Sequence, residues 1–95
     1  MDYEWDDAKA AANRRRHGID FVDAIAAIED PSRVEEVDSR LDYGEERMRV
    51  LGMAAGNILL VITTTRGVDT CRIISARRAT RHEQDRYYAN YPQTR

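Results

Sequence analysis

The chain has 95 residues, a net charge of −2 and 34% charged residues, which suits one domain with a thin stability margin. No run of about 18 apolar residues is present, so no membrane-spanning helix is expected, and the acidic start Met1-Asp2-Tyr3-Glu4-Trp5-Asp6 is unlike a secretory signal. Cys71 is the only cysteine, which excludes an internal disulfide; it reads as a small buried hydrophobe rather than a catalytic thiol, and the whole fits a reducing cytoplasm.

Tyr3-Glu4-Trp5 reads as a short extended lead-in. Asp6 is placed to cap a helix over 7–16, with Ala8, Ala11 and Ala12 on one side, and Gly18 to stop it. Asp20 caps a second helix whose Phe21, Ala24, Ile25 and Ile28 form one apolar face, and Asp30-Pro31 ends it. The period then changes from helix to strand. Residues 32–38 predict a charged edge strand, and 40–44 a turn. Glu46 to Met53 alternates, with Met48 and Val50 on one face and Arg47, Arg49 and Leu51 on the other. Ala55-Gly56-Asn57 is a turn, and Ile58-Leu59-Leu60-Val61-Ile62, apolar on both faces, is the central strand. After a hairpin turn at 66–69, residues 70–76 predict the last strand, with Arg72 and Ile74 on one face and Cys71, Ile73 and Ser75 on the other. Thr80 and Glu83 form a capping box that opens a helix to about Tyr91, followed by a frayed tail. The predicted fold is a compact single α+β domain: N-terminal helices, an antiparallel sheet of three to four strands and a C-terminal helix, with helices over one face and the other partly open.

The net charge hides an asymmetry. Residues 1–46 hold 14 Asp/Glu and 6 Lys/Arg, whereas residues 47–95 hold 3 Asp/Glu and 9 Arg. One region suits anions and the other a basic partner, or the two halves pair on folding. The join from Arg72 to Thr80 carries the sharpest signal. It sets Arg77 and Arg78 before a helix N-terminus and Arg81 in the first turn, where the macrodipole disfavours cations. Arginines converging on helix amides suit a phosphate; the plainer reading is that carboxylates of the acidic half hold them. Arg47, Arg49 and Arg72 lie on strands of one small sheet and converge if the register agrees. Arg14-Arg15-Arg16-His17 closes the first helix, either as cations favoured by the dipole or as a phosphate grip with a histidine able to move a proton. Glu46 beside Arg47 is an ion pair or a base. His82 reads as a solvated surface residue; Tyr87, Tyr88 and Tyr91 are candidate base-stacking rings, Tyr87 and Tyr91 reading rather as helix-docking rings. Metal-ligand spacing, a glycine-rich phosphate loop and a dinucleotide fingerprint are lacking, so neither a metal nor a cofactor is expected.

Over residues 3–88 the chain resembles the BrnT toxins of bacterial type II toxin–antitoxin systems, whose fold is similar to the RelE-like ribonucleases. The matching residues are Glu4-Trp5-Asp6 with Lys9 and Asn13; His17-Gly18 with Phe21 and Ala24; Asp30-Pro31; Tyr43-Gly44-Glu45-Glu46-Arg47; Leu51-Gly52; and Arg72-Ile73-Ile74-Ser75-Ala76-Arg77 with Ala79 and Glu83. The family commonly has Lys before the histidine, where this chain has Arg16. The resemblance implies a metal-independent endoribonuclease that cleaves RNA and inhibits translation. Its partner would be a small DNA-binding antitoxin, BrnA, with DNA reached only through that partner. In this setting the candidate catalytic residues are His17 and Glu46 as acid or base and Arg72 and Arg77 as cations. Lys9, Arg16, Arg47 and Arg78 are candidate phosphate contacts. The alternative is a non-catalytic corepressor module in a DNA-bound complex.

Overall fold

The computed structural model describes residues 1–38 and 46–90. The predicted turn at 40–44 and the tail from Tyr91 lie outside the described residues. Asp6 accepts a hydrogen bond from the Lys9 amide at 3.0 Å and starts α1 (Asp7–His17); Gly18, at φ 74°, ends it by donating its N–H to the Arg14 carbonyl. Asp20 takes the N-cap position of α2 (Phe21–Ile28), but its carboxylate accepts from Arg14 at 2.9 Å rather than from the helix amides. The strands are β1 (Asp2–Glu4), β2 (Val34–Asp38), β3 (Arg47–Ala54), β4 (Asn57–Arg66) and β5 (Thr70–Arg78); α3 (Arg81–Ala89) closes the described chain. Both halves of the Thr80–Glu83 capping box are formed.

The strands form one sheet in the order β1-β5-β4-β3-β2, with β4 at its centre as its two-sided apolar run predicts. Two expectations are corrected. The sheet has five strands, because the lead-in pairs as β1, parallel to β5, with Tyr3 opposite Cys71; the other pairs are antiparallel. And helices cover both faces. Leu59, Val61, Ile73 and Ala76 meet Phe21, Ala24 and Ala27 of α2 on one face. Leu51, Ile58, Leu60 and Ile62 meet Ala79 and Tyr87 on the other. The sequence pattern of β4 already required two apolar covers, and α3 supplies the second.

Side chains finish what the strands leave open. β1 stops opposite Arg72, so the rest of the β5 edge lacks a strand. Asn13, buried in α1, replaces it: its amide accepts from the Ala76 N–H at 3.1 Å and donates to the Ala76 carbonyl at 2.8 Å. One carboxamide thus supplies the two bonds of a missing strand residue. On the other side β2 begins opposite Leu51, and Asp30 accepts the Met53 N–H beyond that point at 2.8 Å, together with the Ser32 N–H and the Tyr87 hydroxyl. Gly52 lets α2 sit this close. A Cβ there would lie 2.0 Å from the Ala27 carbonyl oxygen.

Candidate active site

β5 contains a bulge opposite Ile62 and Thr63. Strict alternation would put Arg72 and Arg77 on opposite faces, since five residues separate them. The bulge inserts one residue: Thr64 faces Arg72, Ile62 faces Ser75 and Leu60 faces Arg77. Arg72 and Arg77 therefore share the α3 face. This corrects the expected facing of Ser75, which joins the Arg72 side. The register of β3 adds Arg47, opposite Thr64, and Arg49, opposite Ile62. Arg47 and Arg72 thus flank Thr64 in one row, two strand spacings or about 10 Å apart. The predicted convergence of strand arginines is present on the α3 face.

Carboxylates already occupy part of this row. Arg77 grips Glu83 with two parallel bonds of 2.8 and 3.0 Å; Arg49 adds one of 3.1 Å, and the Thr80 N–H one of 2.9 Å. The Arg77 fork, acting against burial and aided by the Thr80 amide and Arg49, holds the Glu83 carboxyl at about 2. The anion in the notch before α3 is therefore the protein's own. The sequence marks Glu83 only as a capping residue and a family match; its sequence neighbours carry no sign that two strands would point arginines at it. Arg72 pairs with Glu4 of β1 at 2.9 Å, and Arg86 and Arg49 pair with Glu36.

The other candidates fall around this row. Lys9, Arg16 and His17 of α1, with Ile74 and Ser75 of the bulge, line an open groove of about 590 Å³ along the β5 edge. The Lys9 amide caps onto Asp6, and with the charges of Lys9 and Arg72 it holds the Asp6 carboxyl below its usual range. Glu46 is exposed at the head of β3, and its carbonyl accepts from the Thr64 hydroxyl at 2.8 Å. His17 and Glu46 do not meet. Glu46 adjoins Arg47 on β3, whereas His17 lies beyond β5, at least two strand spacings away. Arg72 shares its face of β5 with Ser75, which lines that groove, and stands in one row with Arg47. Arg78 is exposed at the end of β5. A second cleft, about 390 Å³ on the opposite face, is lined by Tyr3, Met48, Thr63 and Cys71, and no candidate residue reaches it. Burial there raises the Cys71 thiol pKa, which keeps it a poor nucleophile. Among the described residues, no group of three or more His, Cys, Asp or Glu is arranged to hold a metal ion.

The family described as ribonuclease toxin, BrnT, of type II toxin-antitoxin system matches residues 5–83, a span that contains α1, the arginine row and Glu83. The chain belongs to the BrnT family. It is thus a member of a family of ribonuclease toxins, and a type II toxin has an antitoxin partner. The 1.1 Å crystal structure of the Brucella abortus ribonuclease toxin BrnT is similar to it in fold: TM-score 0.63 and 27% identity, covering 85% of this chain and 99% of that one. No curated protein matches the sequence. Among the described residues no helix of this BrnT-family chain is long and apolar enough to cross a membrane.

Proposed function

We propose that this BrnT-family protein is a metal-independent endoribonuclease that cuts RNA, inhibits translation and is neutralised by a BrnA-like DNA-binding antitoxin. The observation that carries the reading is the gathering of Arg47, Arg72 and Arg77 on one sheet face by register and bulge. In the reaction a base takes the proton of a 2′-hydroxyl, whose oxygen bonds to the adjacent phosphorus. The bond from phosphorus to the 5′-oxygen breaks, and an acid protonates that oxygen. The products are a 2′,3′-cyclic phosphate end and a 5′-hydroxyl end. Arginines stabilise the charge gathering on the phosphoryl oxygens.

Energetics separate the arginines. The Arg72–Glu4 pair is partly exposed, and such pairs contribute about 0–1 kcal/mol, so a phosphate displaces Glu4 at little cost. Arg77 is held by buried Glu83 and offers its remaining donors without leaving that pair. Arg72 is thus the principal phosphate contact, and Arg77 a fixed cation beside it. Lys9, Arg16, Arg47 and Arg78 extend the basic surface, and His17 or Glu46 moves the proton.

The second reading, a non-catalytic corepressor, is favoured by one fact: Arg49, Arg72 and Arg77 each already have a carboxylate. RNA cleavage in EDTA separates the two. Wild-type protein should cleave, and Arg72→Ala, Arg77→Ala and His17→Ala should each lose about 10²–10³-fold in rate with an unchanged circular dichroism spectrum. Three variants that cleave like wild type would place the chemistry elsewhere. A folded wild type that cleaves nothing, with or without EDTA, leaves the corepressor reading.

A further inference from the structure

Past Arg77 the surface changes character. Arg78 closes β5, Ala79 and Thr80 lead into α3, and Gln84 and Tyr88 stand at i and i+4 on one flank of that helix. The β3–β4 turn, with Ala55 and Gly56 both at positive φ, leads directly into Asn57. Asn57, Arg78, Gln84 and Tyr88 line a polar hollow of about 220 Å³. Tyr88 is 50% exposed and belongs to neither core cluster, whereas its neighbour Tyr87 is 1% exposed. Their rings meet edge to face with centroids 5.3 Å apart, so the buried ring braces the exposed one. Gln84 is oriented as well: its amide nitrogen donates to the Ala79 carbonyl at 3.2 Å, which leaves its Oε1 as an acceptor.

An aromatic ring held in place, a guanidinium and two carboxamides around a polar hollow make up the chemistry that takes a nucleobase. The ring stacks on the base, while amides and arginine bond its edge. Gln84 follows Glu83, which Arg77 grips, so the hollow adjoins the arginine row along α3. We propose that it holds one base of the single-stranded RNA whose phosphates the row binds, with Tyr88 as the stacking platform and Asn57, Gln84 and Arg78 at the base edge. The inference rests on the ribonuclease reading and adds to it a determinant of which RNA is cut.

The test is fluorescence anisotropy with a labelled 2′-O-methyl single strand, which cannot undergo 2′-hydroxyl attack, and with the same strand made abasic. Tyr88→Ala should weaken binding of the base-bearing strand about tenfold, the size of one base–aromatic stack. Tyr88→Phe, which keeps the ring, should bind like wild type. On the abasic strand Tyr88→Ala and wild type should be equal. Arg72→Ala, which removes a phosphate contact, should weaken binding and flatten its salt dependence, whereas Tyr88→Ala should leave the salt slope unchanged. Equal affinity of Tyr88→Ala and wild type for the base-bearing strand overturns the proposal. So does a loss that persists on the abasic strand, or a Tyr88→Phe variant as weak as Tyr88→Ala. If Arg72→Ala loses binding while Tyr88→Ala does not, only the base site falls. If wild type binds no single strand, the ribonuclease reading falls and takes the base site with it.

Discussion

On the α1–α2 face, Val50, Ala54, Leu59, Val61, Ile73 and Ala76 meet Phe21, Ala24 and Ala27 in an apolar layer. On the α3 face, the same strands mix Leu51, Ile58, Leu60 and Ile62 with Arg47, Arg49, Arg72 and Arg77. The first face is closed by small residues: Ala24, Ala27, Gly52 and Ala54 let helix backbone and strand backbone touch. The second is held by Tyr87, Ala79 and a network of ion pairs around Glu83. A small domain has little stability to spare. Concentrating close packing on one face lets the other carry cations that a closed apolar layer would not tolerate.

The contrast can be broken most sharply at Gly52. Gly52→Ala drives a methyl into the Ala27 carbonyl and should cost about 3 kcal/mol, at the upper end of overpacking, seen as a large drop in urea midpoint. A loss under about 1 kcal/mol would mean that the faces do not differ in tightness. On the charged face, Glu83 predicts an acid response. Its folded pKa of about 2 lies below its ordinary 4.5, so its stabilisation is complete above pH 4.5 and is lost as pH falls toward 2. The size is on the order of 2–3 kcal/mol. Denaturation of wild type and Glu83→Gln at pH 7 and pH 3 should show a smaller acid loss in the variant, while equal losses would remove Glu83 as the hub. At the β5 edge, Asn13→Ala should cost about 2 kcal/mol by leaving the buried Ala76 N–H and carbonyl unmet, and hydrogen exchange at Ala76 should quicken. The smallest effect belongs to Arg81, whose 3.6 Å pair with Asp85 is largely exposed: Arg81→Ala should move stability by less than about 0.5 kcal/mol. A change above 1 kcal/mol would show that surface charge, and not the Glu83 cluster, holds α3.

Much of the fold was legible because its signals are local. Asp6 and Gly18 bound α1, Thr80 and Glu83 open α3, and β4 declares itself central, all through neighbours within four residues. The lead-in does not declare itself as β1, because three residues carry too little pattern; its pairing depends on Thr70 and Arg72, far along the chain. The candidate site was legible in residue type and only partly in place. Arg47, Arg49 and Arg72 share a face as their alternation allows. His17 and Glu46 read as interchangeable acid or base, yet stand on opposite sides of β5.

By itself the sequence determined where elements start and stop, which strand lies innermost, the division of charge along the chain and the family resemblance. These follow from caps, periodicity and motif spacing, which are properties of short windows. Only the tertiary structure decided that Arg77 joins Arg72, since a single bulged residue reverses every side chain beyond it. It alone decided that Glu83 answers Arg49 and Arg77, and that Asn13 takes the place of a missing strand residue beside Ala76, 63 residues along the chain. Those arrangements depend on register and on contacts between distant segments, and no local rule fixes either one.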